Sequence, residues 1–370
     1  MSAWVFAGFL GLGLLASLAL TPLAASLARR LGILDHPGAR KIHHHPKPLL
    51  GGVAVLLSFY GITFGALAAG LLLLRTPSAS LIPDQFLPYL HNISANSGQV
   101  LWRFCVIGIG GFAVFLLGLV DDLKGLGAGL RLCLQFGIAA FVVLAGVQPE
   151  LGFLPRPFAQ FVAMTWIVGI MNAFNFIDGL DGEAAGVGAI AGGILAVAMA
   201  RWSQPLVAVL LCTLSGSLLG FLRYNFFPSS IFLGSCGSLL LGYLLGVIVL
   251  VSTFIVDAQH GTLPIAMPVL VMGIPLYDIA SVCVIRAIRG VSLFQGDRSH
   301  LGHRLMRRGF TQKQAVLCIY VLTFSVALNA LLLPTLSTLD SLLVLVQVLS
   351  ILGVVILLER IRIRPDSDES

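Results

Sequence analysis

Carboxylates are dense in the segment NFIDGLDGE, residues 175–183, where Asp178, Asp181 and Glu183 lie within six positions. Long apolar runs lie on both sides of it, FVAMTWIVGIMNAF before and AAGVGAIAGGILAVAMA after. Because charge is costly near hydrocarbon, acids in such a place usually face a bundle interior or a water-filled cavity. Grouped carboxylates also attract a proton or a cation, since like charges held together raise one pKa. The segment therefore indicates acid–base chemistry or a metal site.

Amides and acids recur at every third position of this region, as Asn172, Asn175, Asp178 and Asp181. On a helix each such step turns by about 60° from the last, so the four side chains form one slanting polar stripe. The stripe predicts a polar face toward the bundle interior or a water-filled cavity. A hydrogen-bonded seam between two helices is the alternative.

A second acidic motif, GLVDDLKG, ends another apolar run with Asp121 and Asp122, which are followed by Lys124. Two adjacent carboxylates are typical of a base or metal site that faces a charged substrate, because one of them readily takes a proton or a cation. A solvated helix end has the same composition, and the motif alone does not separate the two interpretations.

Histidines and arginines fill a later segment, RAIRGVSLFQGDRSHLGHRLMRRG. His300 and His303 are three positions apart and share a face if the segment is helical. Metal binding, recognition of a diphosphate and a patch for lipid headgroups are the three interpretations. The number of arginines favours an anion over a metal. These arginines are Arg289, Arg298, Arg304, Arg307 and Arg308.

Two further polar segments lie between apolar runs. DHPGARKIHHHPKPLLGG contains His43 within three consecutive histidines, which indicates either a metal tract or an ordinary basic loop. RYNFFPSSIFLGSCGSLLLG contains Asn225 and Ser235 in a loop rich in Gly and Ser. Such a loop can cradle a phosphate with its backbone N–H groups.

Transmembrane helices must position these motifs. Of the 370 residues 58% are hydrophobic and 10% charged, with a mean hydropathy of +0.98, whereas a soluble domain has about 25% charged residues. Runs long enough to cross the bilayer as helices exclude a barrel. We predict an all-α integral membrane protein with about eleven transmembrane helices. The predicted spans are residues 3–27, 49–74, 101–120, 130–148, 158–176, 184–200, 204–222, 236–256, 264–285, 314–334 and 340–358.

Most of the 22 Lys and Arg residues fall in one alternating set of connections between these runs. The positive-inside rule makes that side cytoplasmic, with the N-terminus outside and the C-terminus in the cytoplasm. We expect one polytopic domain over residues 1–360 of the inner (plasma) membrane, with a cytoplasmic active site and a disordered tail at 361–370. Topology explains the net charge of +6, so no nucleic-acid partner is predicted.

In their order along the chain, these motifs resemble those of the polyprenyl-phosphate N-acetylhexosamine-1-phosphate transferase family, glycosyltransferase family 4. The branch that it resembles most contains the undecaprenyl-phosphate N-acetylglucosaminyl 1-phosphate transferases. The resemblance extends over residues 35–310 and rests on DHPGARKIHHHPKPLLGG, GLVDDLKGL, NAFNFIDGLDG, FLRYNFFPSSIFLGSCGSLLLG, PLYD and DRSHLGHRL.

The resemblance implies transfer of a sugar 1-phosphate, N-acetylglucosamine 1-phosphate by expectation, from a UDP-N-acetylhexosamine to undecaprenyl (polyprenyl) phosphate. UMP is released, and cell-envelope polysaccharide synthesis begins. The implied cofactor is Mg²⁺, with Mn²⁺ as an alternative, and a homodimer is one expected assembly. We expect direct attack by the lipid phosphate rather than a covalent aspartyl intermediate.

Residue roles follow from the same resemblance. Asp121 would deprotonate or position the lipid phosphate with Asp122 as its partner, and Asp178 and Asp181 complete the implied catalytic set. The implied metal ligands are Asn175, Asp178, Asp181 and the residue at position 235. The predicted substrate-binding residues are His43, Lys124, Asn172, Asn175, Asn225, Arg298, His300, His303 and Arg304.

Two positions depart from the family pattern. Ser235 stands where relatives have a metal-binding Asp, and Gly302 stands where many have another histidine. Mg²⁺ prefers carboxylate oxygens, so a weakened or inactive member that binds nucleotide-sugar or lipid phosphate is one rival interpretation. A transporter is the other, and it requires polar groups near the bilayer midplane rather than at one face.

Overall fold

A computed structural model describes residues 3–37, 45–74, 76, 82, 86–95, 97–148, 154–252, 266–292, 299–333 and 336–360. Helices dominate the described residues, with one two-stranded antiparallel hairpin, β1 (Leu34–Asp35) and β2 (Lys47–Pro48). The helices are α1 (Ala3–Leu31), α2 (Gly51–Leu73), α3 (Leu87–Ala95), α4 (Ser97–Lys124), α5 (Ala128–Leu144), α6 (Arg156–Ile177), α7 (Glu183–Arg201), α8 (Pro205–Asn225), α9 (Gly234–Leu250), α10 (Met267–Val271), α11 (Gly273–Ile288), α12 (Leu301–Met306), α13 (Gln312–Ala330) and α14 (Thr338–Arg360).

Eight helices of the described chain are long and apolar enough to cross a membrane: α1, α2, α4, α6, α7, α8, α13 and α14. The helices α5 and α9 are shorter apolar helices of 17 residues each. The protein is therefore a multi-pass, nearly all-helical membrane protein. The count of eleven spans, the orientation and the single domain stay predictions, and the predicted tail at 361–370 lies outside the described residues.

The predicted span at 264–285 is divided between α10 and α11, which meet at Met272. Pro275 explains the division, because it has no N–H to donate to the carbonyl of Val271 and its ring displaces that turn. The result is a short helix followed by a separate 16-residue helix.

The centre of the bundle is α9, which is buried along its length except at Ser235. Glycines on neighbouring helices permit this, because backbones in membranes approach closely where side chains are small. A Cβ on Gly118 of α4 would lie 2.5 Å from the Cα of Cys236, and one on Gly52 of α2 would lie 2.5 Å from the amide nitrogen of Gly237. Both contacts are at the beginning of α9, and they hold α2 and α4 against it.

Gly118→Ala is expected to destabilise the protein, because the added methyl group must displace the backbone at the beginning of α9. Such overpacking costs about 1–3 kcal/mol, and the midpoint of thermal unfolding in detergent should fall. Gly137→Ala in α5 is the matched control, because a Cβ there meets nothing within 4 Å. Equal midpoints for the two variants would contradict the close α4–α9 contact.

Candidate active site

A cavity of about 630 Å³ lies at one end of the helix bundle. Helices α4, α6 and α8 end beside it, and α7, α9 and α13 begin there, while the β-hairpin and α12 close its sides. The cavity brings together many of the predicted site residues: Asp122, Asn175, Asp178, Asp181, Asn225, Ser235 and His303.

Asp122 connects the last turn of α4 to the beginning of α9. Its Oδ1 accepts the Ser235 N–H at 2.9 Å and its Oδ2 accepts the Cys236 N–H at 3.1 Å. The Ser235 side chain also hydrogen-bonds this carboxylate. The first N–H groups of a helix have no partner within it, and a carboxylate is favoured there by the helix dipole. Asp122 therefore has both a structural role and a place in the cavity.

Asp178 follows α6 and accepts no hydrogen bond from the part of the chain that the structure describes. Burial raises the pKa of this carboxyl, and the charges of Asp122 and Asp181 raise it further, to about 8. A carboxyl with this pKa is largely protonated at neutral pH and gives up its proton when a cation binds. Asp178 thus has both oxygens available to a ligand.

Asp181 is held by the neighbouring loop and by the β-hairpin. Its Oδ2 accepts the Ser229 N–H at 2.9 Å and lies 3.4 Å from the Nζ of Lys47. Lys47 also donates to the Ser229 hydroxyl at 2.8 Å and lies 4.9 Å from the centre of the Phe232 ring. These contacts hold the positively charged ammonium group of Lys47 beside the acids, in the cavity wall.

Two side-chain amides in the cavity wall donate N–H groups to other groups of the protein. The Nδ2 of Asn175 donates to the Ser238 hydroxyl at 3.0 Å, and the Nδ2 of Asn225 donates to the Ile231 carbonyl at 2.9 Å. The Oδ1 of Asn225 is buried without a hydrogen-bond partner. A buried acceptor without a partner is costly, so this oxygen is available to a donor on a ligand.

The structure places Asp121, Lys124 and Asn172 outside the cavity lining. Asp121 faces α5, where its carboxylate accepts Arg131 Nη1 at 2.9 Å and the Leu126 N–H at 3.0 Å. Lys124 is exposed. Asn172 lies about one helical turn before Asn175, and its Nδ2 donates to the Oε1 of Gln135 in α5 at 2.6 Å. The first residue of the predicted stripe, Asn172, thus lies in a seam between helices, and the other three line the cavity.

His300 and Arg304 also lie outside the lining and form a buried network. The Nδ1 of His300 is 2.8 Å from the Oδ2 of Asp278, which is completely buried in α11. Arg304 donates to the Ser281 hydroxyl at 2.8 Å and pairs with Glu359 of α14 at 3.0 Å. These contacts anchor α12, so that His303 faces the cavity.

His43 and Arg298 lie outside the described residues. His303 lies against the loop of residues 178–182 between α6 and α7, the aspartate loop, and its Nε2 would be 3.4 Å from a Cβ on Gly179. Gly302, the second departure from the family pattern, packs against Glu183, since a Cβ there would lie 2.9 Å from the Oε2 of that acid. Glu183 is 1% exposed, so its carboxylate fills space that a side chain at 302 would need.

The donor set of the cavity fits a hard cation such as Mg²⁺. Mg²⁺ keeps several waters and takes one or two carboxylates, and the carboxylate of Asp178 has both oxygens available. Side-chain oxygens of Asn175 and Ser235 lie in the same wall. The described residues contain no group of three His, Cys, Asp or Glu that could hold a metal by themselves. A hydrated ion held mainly by Asp178 agrees with both observations.

The fold and this site define a class, a multi-pass membrane enzyme with an acidic cavity at one end of the bundle. Residues 104–253 match the family model of glycosyl transferase family 4. The chain is 32% identical over 335 residues to the probable undecaprenyl-phosphate N-acetylglucosaminyl 1-phosphate transferase of Bacillus subtilis, covering 87% of this chain and 83% of that protein.

Two further relatives carry related names. The chain is 30% identical over 334 residues to the decaprenyl-phosphate N-acetylglucosaminephosphotransferase of Mycobacterium tuberculosis, covering 82% of this chain and 76% of the relative. It is 28% identical over 316 residues to the undecaprenyl-phosphate alpha-N-acetylglucosaminyl 1-phosphate transferase of Escherichia coli, covering 80% and 75%. The chain belongs to glycosyl transferase family 4, and the predicted family and the prediction of a sugar-phosphate transferase are confirmed.

Four lining residues with polar or charged side chains were not assigned a role from the sequence: Asp35, His45, Lys47 and Gln312. Lys47 lies within the basic segment that drew attention to His43, and its position before a proline and two glycines was the available signal. Gln312 gave no signal, because a polar residue at the start of a helix is ordinary. Tertiary contacts alone bring it to the site.

Lys47→Met is expected to lower transferase activity by about tenfold or more, because hydrogen bonds to charged groups contribute about 1.5–3 kcal/mol. The variant removes the cation beside Asp181 and keeps an apolar stem. Lys124→Met is the control, since Lys124 is exposed and outside the cavity, and we expect its activity to stay close to that of the unmodified protein. A larger loss for Lys124→Met than for Lys47→Met would refute this assignment.

Proposed function

We propose that this protein transfers N-acetylglucosamine 1-phosphate from UDP-N-acetylglucosamine to undecaprenyl phosphate and releases UMP. The observation that carries the proposal is the acidic cavity at the end of the membrane helices, in a chain whose relatives are named for this type of transfer. A cavity at a membrane face can receive a soluble nucleotide-sugar and a lipid phosphate together. We propose that this face is cytoplasmic and that the membrane is the inner (plasma) membrane.

The proposed reaction forms a bond between an oxygen of the lipid phosphate and the phosphorus attached to the sugar. The bond from that phosphorus to the UMP oxygen breaks, so the UMP phosphate takes the electron pair and a polyprenyl diphosphate sugar remains. Phosphoryl transfer of this kind depends mainly on positioning and charge neutralisation. Lys47 provides a fixed positive charge, while Asn175 and Asn225 provide polar groups for orientation.

Direct attack by the lipid phosphate is the mechanism that these contacts favour. Both oxygens of Asp121 accept hydrogen bonds outside the cavity, and both oxygens of Asp122 accept N–H groups of α9. Carboxylates held in this way are poor nucleophiles. We therefore assign Asp122 a role in orienting groups within the cavity and Asp121 a role in positioning the end of α4.

We propose Mg²⁺ as the cofactor, with Mn²⁺ as an alternative, and Asp178 as its main protein ligand. Asn175 and Ser235 contribute neutral oxygens, and Asp181 contributes negative charge from beside Lys47. When bound, the ion neutralises phosphate charge. The homodimer stays a proposal that none of the contacts described here addresses.

The experiment that tests the function is an assay of purified protein with UDP-N-acetylglucosamine, undecaprenyl phosphate and Mg²⁺. We expect one UMP for each lipid-linked sugar formed. Asp178→Asn should lower the rate by about a hundredfold or more, as loss of a group that acts on transition-state charge does.

Ser235→Asp should lower the Mg²⁺ concentration for half-maximal rate, because it adds a carboxylate beside Asp122.

If the unmodified protein releases no UMP in this assay, the result would support the rival interpretation of an inactive relative. If UMP release is absent from the unmodified protein and present in Ser235→Asp, the active-enzyme proposal is wrong. The comparisons with known proteins give the inactive interpretation no support, and Ser235 remains its one argument. Ser235→Ala is the control for loss of the hydroxyl alone.

The binding of Mg²⁺ should depend on pH through Asp178. Its raised pKa of about 8 means that the carboxyl holds a proton below that pH, and the ion must displace it. As the pH is raised toward 8, the half-saturating Mg²⁺ concentration should therefore fall about tenfold per pH unit, and above pH 8 it should become constant. Thermal stabilisation by Mg²⁺, measured at several pH values, reports this constant without turnover. Asp178→Asn should remove the dependence, and a constant value in the unmodified protein would exclude Asp178 as the ligand.

A further inference from the structure

The first residue of α13, Gln312, lies in the cavity wall although the sequence assigns it no role. A capping box fixes the start of this helix. The Thr311 hydroxyl accepts the Gln314 N–H at 3.3 Å, and the Gln314 side chain accepts the Thr311 N–H at 2.9 Å. Capping of this kind satisfies two terminal donors at once. The position of Gln312 is therefore set without any help from its own side chain.

The side chain of Gln312 makes no hydrogen bond within the described ranges, although the residue is only 9% exposed. Its neighbours in the cavity differ, because Asn175 and Asn225 both donate to the protein. The amide atoms of Gln312 are not among the fully buried polar atoms of the described chain that lack a partner, so they remain accessible in the cavity wall as an N–H donor and a C=O acceptor. Such a pair of groups matches the N–H and C=O of another amide.

The level of Gln312 along the cavity follows from α13. Further along this helix, the Tyr320 hydroxyl donates to the Gly182 carbonyl at 2.6 Å, which ties α13 to the aspartate loop. Eight residues separate Gln312 from Tyr320, and an α-helix rises 1.5 Å per residue, so the two differ in height by about 12 Å. Gln312 thus lies at the end of α13 that lines the cavity, before the residue that contacts the aspartate loop. A nucleotide-sugar bound in the cavity can reach it there.

We propose that Gln312 is a specificity-determining residue that hydrogen-bonds an amide group of the nucleotide-sugar, an inference that rests on the proposed function. Two parts of that substrate carry this chemistry. One is the acetamido group of the sugar, and the other is the imide edge of the uracil ring. The imide edge of uracil presents its N–H and C=O side by side and can use both the donor and the acceptor of Gln312. The acetamido group is a trans amide, whose N–H and C=O point in opposite directions, so it uses one of the two.

The test compares Gln312→Met with the unmodified protein, because methionine keeps the volume and removes both polar groups. Lys313→Met is the matched control, since Lys313 is the next residue of α13 and is exposed. The measured quantities are the KM for UDP-N-acetylglucosamine and the inhibition constants of UDP-glucose and UMP, neither of which carries an acetamido group. We expect the KM to rise about three- to tenfold in Gln312→Met, as for loss of one or two hydrogen bonds, and not in Lys313→Met.

The inhibitors distinguish the two sources of the amide. If Gln312 contacts the acetamido group, the KM rises while the inhibition constants of UDP-glucose and UMP stay unchanged. If it contacts uracil, all three constants rise together. An unchanged KM with unchanged inhibition constants, in a variant of normal thermal stability, overturns the inference and leaves the proposed function standing. Gln312→Glu, which retains an acceptor only, replaces Gln312→Met if the latter is unstable. No turnover by the unmodified protein would overturn the proposed function and the inference with it.

Discussion

The hydrogen bonds from the Ser235 and Cys236 N–H groups to Asp122 connect the last turn of α4 to the beginning of the buried helix α9, beside the cavity. The first N–H groups of a helix have no partner within it, and each one left unpaired within a membrane bundle costs several kcal/mol. The carboxylate at the end of α4 supplies that partner for α9. Because α9 is the most buried helix of the bundle, the cavity and the central packing depend on the same pair of contacts.

This constraint divides the acids of the site by function. Asp122 and Asp181 are held by backbone N–H groups of neighbouring segments, and Asp181 is also held by Lys47. Asp178 is the acid of this group whose oxygens no described residue occupies, and its raised pKa follows from burial beside the other two. Two carboxylates of the cavity, those of Asp122 and Asp181, are held by hydrogen bonds, and that of Asp178 is available to a ligand. This arrangement is suited to hold a hydrated ion. Ser235 leaves this arrangement intact, since its N–H, rather than its side chain, makes the main contact with Asp122.

The buried network behind the cavity has a different role. Asp278, His300 and Arg304 connect α11, α12 and α14 through ion pairs with one another and with Glu359. The segment 286–309 has the composition of an anion site, but its His300 and Arg304 hold α12 against the bundle. His303 is the member of the pair that reaches the cavity. His300 is the N-cap of α12 and has an extended backbone, whereas His303 lies within the helix, so the two imidazoles reach different surroundings.

Hydropathy and motif order were sufficient for the fold class, the family and the grouping of Asp122, Asp178, Asp181, Asn225 and His303 around one cavity. The length of an apolar run can be read directly from the sequence, and each motif lies within one short segment, so neither requires knowledge of tertiary contacts. The roles of Asp121, Asn172, His300 and Arg304 could not be separated from those of their neighbours in this way, because adjacent residues on a helix point in different directions. Lys47 and Gln312 reach the cavity from distant segments. The packing of α9, the pairing of β1 with β2 and the start of α13 determine which polar groups meet, since these depend on contacts between residues far apart in the chain.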